Sequence, residues 1–118
     1  VHLDHLSQNT NARAVDVLLE TIKAEARSVP VVLGGDFNAP PYLATRTRLS
    51  DTLPSVLDPA AGPTHLTFPV LQIDGIHHSR DLVSLQSWID PTPVNGPIGS
   101  DHAAVWAELA RATEPFSQ

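Results

Sequence analysis

Residues 33–41 read Leu-Gly-Gly-Asp-Phe-Asn-Ala-Pro-Pro, and this stretch limits what the chain can fold into more than any other. Val31, Val32 and Leu33 form a short apolar run of the kind that becomes a buried strand. Gly34 and Gly35 then allow close backbone approach just where the apolar run ends. Strand alternation sets Asp36 and Asn38 on one face with Phe37 on the other. Read alone, turn chemistry is the more economical explanation, because Asp, Asn and Pro are turn formers. It leaves unexplained why a carboxylate and an amide should share a face directly after a core strand.

The surrounding pattern places that strand in an α/β or α+β sheet protein. Residues 1–4 read as the end of a strand. Val15, Leu18, Leu19, Ile22 and Ala26 recur at helical spacing behind the cap-rich Ser7-Gln8-Asn9-Thr10, which predicts a helix from about Thr10 to Arg27. Strand, helix and strand then make a candidate crossover unit. Pro40-Pro41 permits a short helix near Tyr42–Leu49, and 51–63 reads as proline-punctuated loop. His65–Phe68, Leu71–His77, Asp81–Ile89 and Ala103–Leu109 are the remaining strand candidates, the later ones antiparallel. Residues 90–102 read as loop and 111–118 as a tail, so the predicted domain covers 1–110. Trp88 and Trp106 are expected in the core.

Composition narrows the function. With 118 residues and 42% hydrophobic content, the chain has enough apolar material for one packed domain. Thirteen acidic against seven basic residues give a formal charge of −6 without any Lys/Arg cluster, which argues against gripping nucleic acid by charge alone. No apolar run approaches the ~20 residues of a membrane-spanning helix. The absence of cysteine removes thiolate metal sites and thiol catalysis. The chain also lacks methionine and opens at once on Val1-His2-Leu3, which is the expectation for a sequence that begins inside a longer protein.

Four polar clusters stand at predicted strand ends or in adjacent loops: Val1-His2-Leu3-Asp4-His5, Gly35-Asp36-Phe37-Asn38-Ala39, Ile73-Asp74-Gly75-Ile76 and Ser100-Asp101-His102-Ala103. In order and residue type they resemble the endonuclease/exonuclease/phosphatase superfamily, whose runs are Thr-His-Leu-Asp, Gly-Asp-Phe-Asn-Ala, Ile-Asp-Tyr-Ile and Ser-Asp-His. Thr67-Phe68-Pro69 also looks like the stretch that often precedes the family's Ile-Asp. The resemblance covers residues 1 to about 110 and concerns the C-terminal half of that domain only. Gly75 stands where the family usually has an aromatic residue, and Val1 where it has threonine.

The resemblance implies half of a four-layer αββα sandwich, with a mixed, mostly antiparallel sheet and outer helices. It also implies metal-dependent hydrolysis of phosphodiesters or phosphomonoesters, with Mg²⁺ or Mn²⁺ as the cofactor expected for hard oxygen ligands. Asp36 would orient or deprotonate the attacking water, and Asn38 would bind that water or a phosphate oxygen. His102 would act at the phosphate as base or cation, with Asp74 accepting its other N–H. Asp101, with Asp36, would lie at the metal, and His2 would donate to a phosphate oxygen. The expected partners are a phosphoester substrate and the missing N-terminal half, which in the family supplies an Asn and the Glu that is a main metal ligand.

Other residues carry open alternatives. Asp4 and His5 suit a local turn as well as a site, and Arg13 is expected at the surface. His65, His77 and His78 suggest zinc, but adjacent histidines on a strand point to opposite faces and do not readily chelate one ion. Two further readings remain: a half-domain acting only by association, or an unrelated binding domain whose Asp and His clusters are turns.

Overall fold

In a computed structural model, residues 1–3, 7–67, 69–91 and 100–112 are described. Asp4, His5, Phe68, most of the 90–102 loop and the end of the tail lie outside them. The elements run α1 (Gln8–Glu25), β1 (Val32–Asp36), α2 (Ala44–Thr52), β2 (Asp74–His78), β3 (Leu82–Asp90) and β4 (Ala104–Arg111), with a 3₁₀ turn at Pro59–Ala61. No helix among the described residues is long and apolar enough to cross a membrane.

Helix α1 starts two residues before the predicted boundary because Ser7 caps it, its hydroxyl accepting the Thr10 N–H at 3.2 Å. Val15, Leu19 and Ile22 are buried as their spacing predicts, and Leu18 is half-buried. Val15 and Leu19 join Leu3, Phe37 and Leu49 in the main core cluster. Burying a side chain of this size contributes roughly 1.5–3 kcal/mol, so the helix is held by its apolar face more than by its propensity. Helix α2 begins two residues later than predicted, after a turn in which the Leu43 N–H donates to the Pro40 carbonyl at 3.1 Å.

Strand β1 continues past its apolar run to Asp36, because both of its edges find partners. On one side residues 1–3 run parallel to it: Asp36 N–H donates to the Val1 carbonyl at 2.9 Å, and Leu3 N–H to the Asp36 carbonyl at 2.8 Å. Segment, helix α1 and strand thus form the crossover that the sequence suggests. Gly35 has φ +146°, and a Cβ there would overlap the Val1 carbonyl, so only glycine permits this close approach. On the other side β2 pairs antiparallel, with Asp36 opposite Asp74 and Gly35 opposite Gly75.

Strand β2 begins only at Asp74, three residues after its predicted start, and among the described residues of the predicted His65–Phe68 strand only His65 makes bridges, to Leu71 and His102. Strands β3 and β4 form a second antiparallel ribbon with a bulge between Ser84 and Gln86, and β4 also touches β2. Arg111 belongs to β4, opposite Leu82, and not to the tail. Trp88 and Trp106 correct the sequence expectation. They face each other across the ribbon with parallel rings, centroids 5.9 Å apart, and are 41% and 52% exposed.

His77 packs edge-on against Phe37 in the interior, centroids 5.2 Å apart, and donates Nδ1–H to the Leu53 carbonyl at 3.0 Å. Burial lowers its pKa from 6.5 to about 4, so it folds neutral. The unfolded chain therefore binds more protons between pH 6.5 and 4. This contribution is complete above pH 6.5 and is lost as the pH falls toward 4, a change of roughly 3 kcal/mol. Denaturant melts at pH 7 and pH 4 should show a smaller stability loss for His77→Gln than for the parent, even though the variant starts less stable. Equal losses would show that His77 is not buried neutral.

Candidate active site

The antiparallel register sets the end of β1 opposite the start of β2, which brings two distant carboxylates to one sheet edge as the direct pair Asp36 and Asp74. His102, just before β4, reaches the same edge. Its Nδ1 donates to Asp74 Oδ2 at 2.7 Å, which leaves Nε2 directed toward Asp36 Oδ2 and Asp101 Oδ1, each 3.8 Å away. His2, on the parallel segment, places Nε2 3.5 Å from Asp36 Oδ2 with its side chain largely exposed. Asp36, Asp74 and His102 offer ligand atoms that all lie within 4.8 Å of one another. One edge therefore gathers His2, Asp36, Asp74, Asp101 and His102 from segments up to a hundred positions apart.

Asn38 occupies this edge with a second function. Its backbone N–H donates to Asp36 Oδ1 at 2.8 Å, its φ of 48° is left-handed, and its side-chain Nδ2 donates to the Leu3 carbonyl at 2.5 Å. The Asx turn is present, and it is what aims the carboxylate. Turn and site are one arrangement: Asp36 gives Oδ1 to the turn and keeps Oδ2 for the edge.

Three buried side chains that the motifs did not reveal hold this loop in place. Asn11 on α1 donates Nδ2–H to the Phe37 carbonyl at 2.8 Å. Arg46 on α2 donates to the Ala39 carbonyl at 2.8 Å and lies 4.7 Å from the centroid of the Phe37 ring, a cation–π contact. Its burial lowers the guanidinium pKa to about 10, partly offset by Asp74, so it remains charged at neutral pH. A Cβ at Gly75 would stand 3.0 Å from that guanidinium, so glycine here leaves room for Arg46. Thr64 clamps the second carboxylate: its hydroxyl accepts the N–H groups of Ile73 and Asp74, both at 2.9 Å. Polar residues in loop or helix patterns give no sequence signal for such clamps.

His65 also corrects the sequence reading, which set it aside. Its Nε2 lies 3.1 Å from Asp101 Oδ2, and its Nδ1 donates to the Pro69 carbonyl at 2.7 Å. The Pro69 carbonyl, then Asp101, raise the His65 pKa, and the hydrogen bond from His65 lowers that of Asp101. His77 and His78 take no part: His77 is in the core, and buried His78 donates Nδ1–H to the Ser79 carbonyl at 2.8 Å. Beside His102 and Asn38 opens a cleft of about 500 Å³, walled by Pro40, Leu43, Leu71 and Ile73.

No protein-family model matches the sequence, and neither does any curated protein. Solved structures do match. A conserved protein of unknown function from Enterococcus faecalis superimposes with a TM-score of 0.80 at 24% identity, over 95% of this chain and 48% of its own. A mannosyl-6-phosphatase from Bacteroides thetaiotaomicron gives 0.77 at 19%, over 92% and 49%. An endonuclease/exonuclease/phosphatase from Bacteroides vulgatus gives 0.79 at 21%, over 94% and 48%. The chain spans about half the length of each, as its resemblance to one half of the domain implies. At these identities the likeness establishes architecture: the chain has the fold of an endonuclease/exonuclease/phosphatase half-domain, with two helices and two antiparallel strand pairs that fit half of the sandwich.

Proposed function

We propose that this chain supplies one half of the active site of a metal-dependent phosphoester hydrolase. The observation that carries the reading is the His102 ring, fixed by Asp74 through Nδ1 so that Nε2 faces Asp36 and Asp101. A carboxylate on Nδ1 sets the tautomer and stabilises the imidazolium, the arrangement that proton transfer at Nε2 requires. His102 then exchanges a proton with a phosphoryl oxygen or the attacking water, Asp36 Oδ2 orients that water, and exposed His2 donates to a phosphate oxygen. Asn38 holds Asp36 in aim and adds its remaining amide valences to the substrate side.

By the family resemblance, Asp101 and Asp36 would lie at a Mg²⁺ or Mn²⁺ ion completed by ligands from the complementary half; Asp36 stands in one candidate ligand group with Asp74 and His102, and Asp101 in another with His65 and His102. When bound, that ion supplies charge neutralisation at phosphorus. Among substrates, a small phosphomonoester such as a sugar phosphate is favoured over nucleic acid. The net charge of −6 offers no backbone-binding patch, the cleft beside His102 is of small-molecule size, and one similar structure is named as a sugar phosphatase. An inactive half-domain that works only by association gives no reason for the Asp74–His102 pair.

The test is hydrolysis by the full-length protein of a hexose 6-phosphate, a generic aryl phosphate and a phosphodiester, before and after chelation. Turnover of a monoester that is lost with EDTA and restored by Mg²⁺ is expected. No turnover of any phosphoester, or turnover indifferent to chelation, overturns the reading.

A further inference from the structure

We infer that His65, Asp101 and His102 form a second cation site, built for an imidazole-preferring divalent metal such as Zn²⁺ or Co²⁺ and not for Mg²⁺. The three residues offer ligand atoms within 4.8 Å of one another. The closest approaches are 3.1 Å from His65 Nε2 to Asp101 Oδ2 and 3.8 Å from His102 Nε2 to Asp101 Oδ1. Donors around a tetrahedral ion at about 2.0–2.1 Å stand roughly 3.3 Å apart, so small side-chain rotations close the set.

Both histidines are already arranged as metal ligands are. Each donates Nδ1–H to a fixed acceptor at 2.7 Å, His102 to the Asp74 carboxylate and His65 to the Pro69 carbonyl, which turns each Nε2 toward Asp101. Ligating histidines characteristically make this second hydrogen bond, which fixes the tautomer and raises the basicity of the free nitrogen. His65 Nε2 lies 3.1 Å from Asp101 Oδ2, a contact in which a bound cation would take the place of a shared proton. The backbone holds the segments in register: Leu66 N–H donates to the Asp101 carbonyl at 2.8 Å, and Ala103 N–H to the Thr64 carbonyl at 2.7 Å. The two imidazole rings meet at 62° with centroids 5.0 Å apart. Two imidazoles and one carboxylate favour zinc-like ions, whereas Mg²⁺ prefers oxygen donors throughout.

An ion held here withdraws His102 Nε2 from any other task, so its presence should block hydrolysis. That consequence rests on the function proposed above; the binding itself does not, and the test reads binding. Metal-free full-length protein is titrated with Co²⁺ in excess Mg²⁺, following the visible ligand-field bands, and the zinc-loaded form is examined by X-ray absorption. A Co²⁺ spectrum of low coordination number that persists in Mg²⁺, a zinc shell containing two imidazoles, and at least ~10-fold weaker binding in both His65→Ala and His65→Gln are expected. Circular dichroism confirms that both variants remain folded. Displacement of Co²⁺ by Mg²⁺, a shell with fewer than two imidazoles, or unchanged affinity in folded His65 variants overturns the inference.

Discussion

Replacing His102 by alanine in the full-length protein should lower phosphoester hydrolysis by about 10²-fold or more, the scale of a group that moves a proton or stabilises charge at the reacting centre. His102 is fixed by a carboxylate through one nitrogen and faces the carboxylate edge with the other: Nδ1 bonds to Asp74 at 2.7 Å, and Nε2 faces the space bounded by Asp36 and Asp101. Asp36→Ala should cost a similar factor for a different reason. Its Oδ2 faces that space while its Oδ1 supports the turn at Asn38, so removal takes away a carboxylate and loosens the loop that aims it. His78→Ala is the control, because His78 bonds to the Ser79 carbonyl and none of the convergent side chains. Steady-state rates at saturating Mg²⁺ check all three. A His102 or Asp36 variant within a few-fold of the parent would remove that residue from the chemistry.

Residues 1–118 purified alone should self-associate and show no Mg²⁺-dependent turnover. In the sandwich implied by the sequence resemblance each half lends one sheet face to the other, and a lone half leaves apolar side chains in water. Val32 is 56% exposed on β1, and Leu85 63% exposed on the ribbon that also carries the stacked tryptophans. The Leu85, Trp88 and Trp106 side chains on the second ribbon offer apolar surface for association, and unpaired strand edges add a second route. Size-exclusion chromatography should give oligomers, and a dye that reports exposed apolar surface should brighten. Addition of the complementary half should dissolve the oligomers and restore hydrolysis. A monodisperse, cooperatively melting monomer with metal-dependent activity would show that this half is self-sufficient.

Sequence alone indicated most of the local elements and singled out the candidate site residues. The 3.6-residue stripe of Val15, Leu19 and Ile22 specified α1 and its buried face, since periodicity is a property of consecutive residues. The four motifs pointed to His2, Asp36, Asn38, Asp74, Asp101 and His102 through their joint resemblance to a family's runs, because each cluster alone reads as turn chemistry. Pairing across the chain decided the rest. Strand β1 outlasts its apolar run because residues 1–3 and β2 satisfy its glycine backbone from both sides, and no local propensity encodes those partners. The Asp36–Asp74 register, the Thr64 clamp and the burial of Arg46 beside Gly75 all join residues separated by nine positions or more. His65 was set aside with His77 and His78, yet the bridge to His102 carries it to Asp101; Trp88 and Trp106 were expected inside, yet their strands turn them outward. Periodicity tells which residues share a face, but only packing against another segment decides whether that face meets protein, solvent or a ligand.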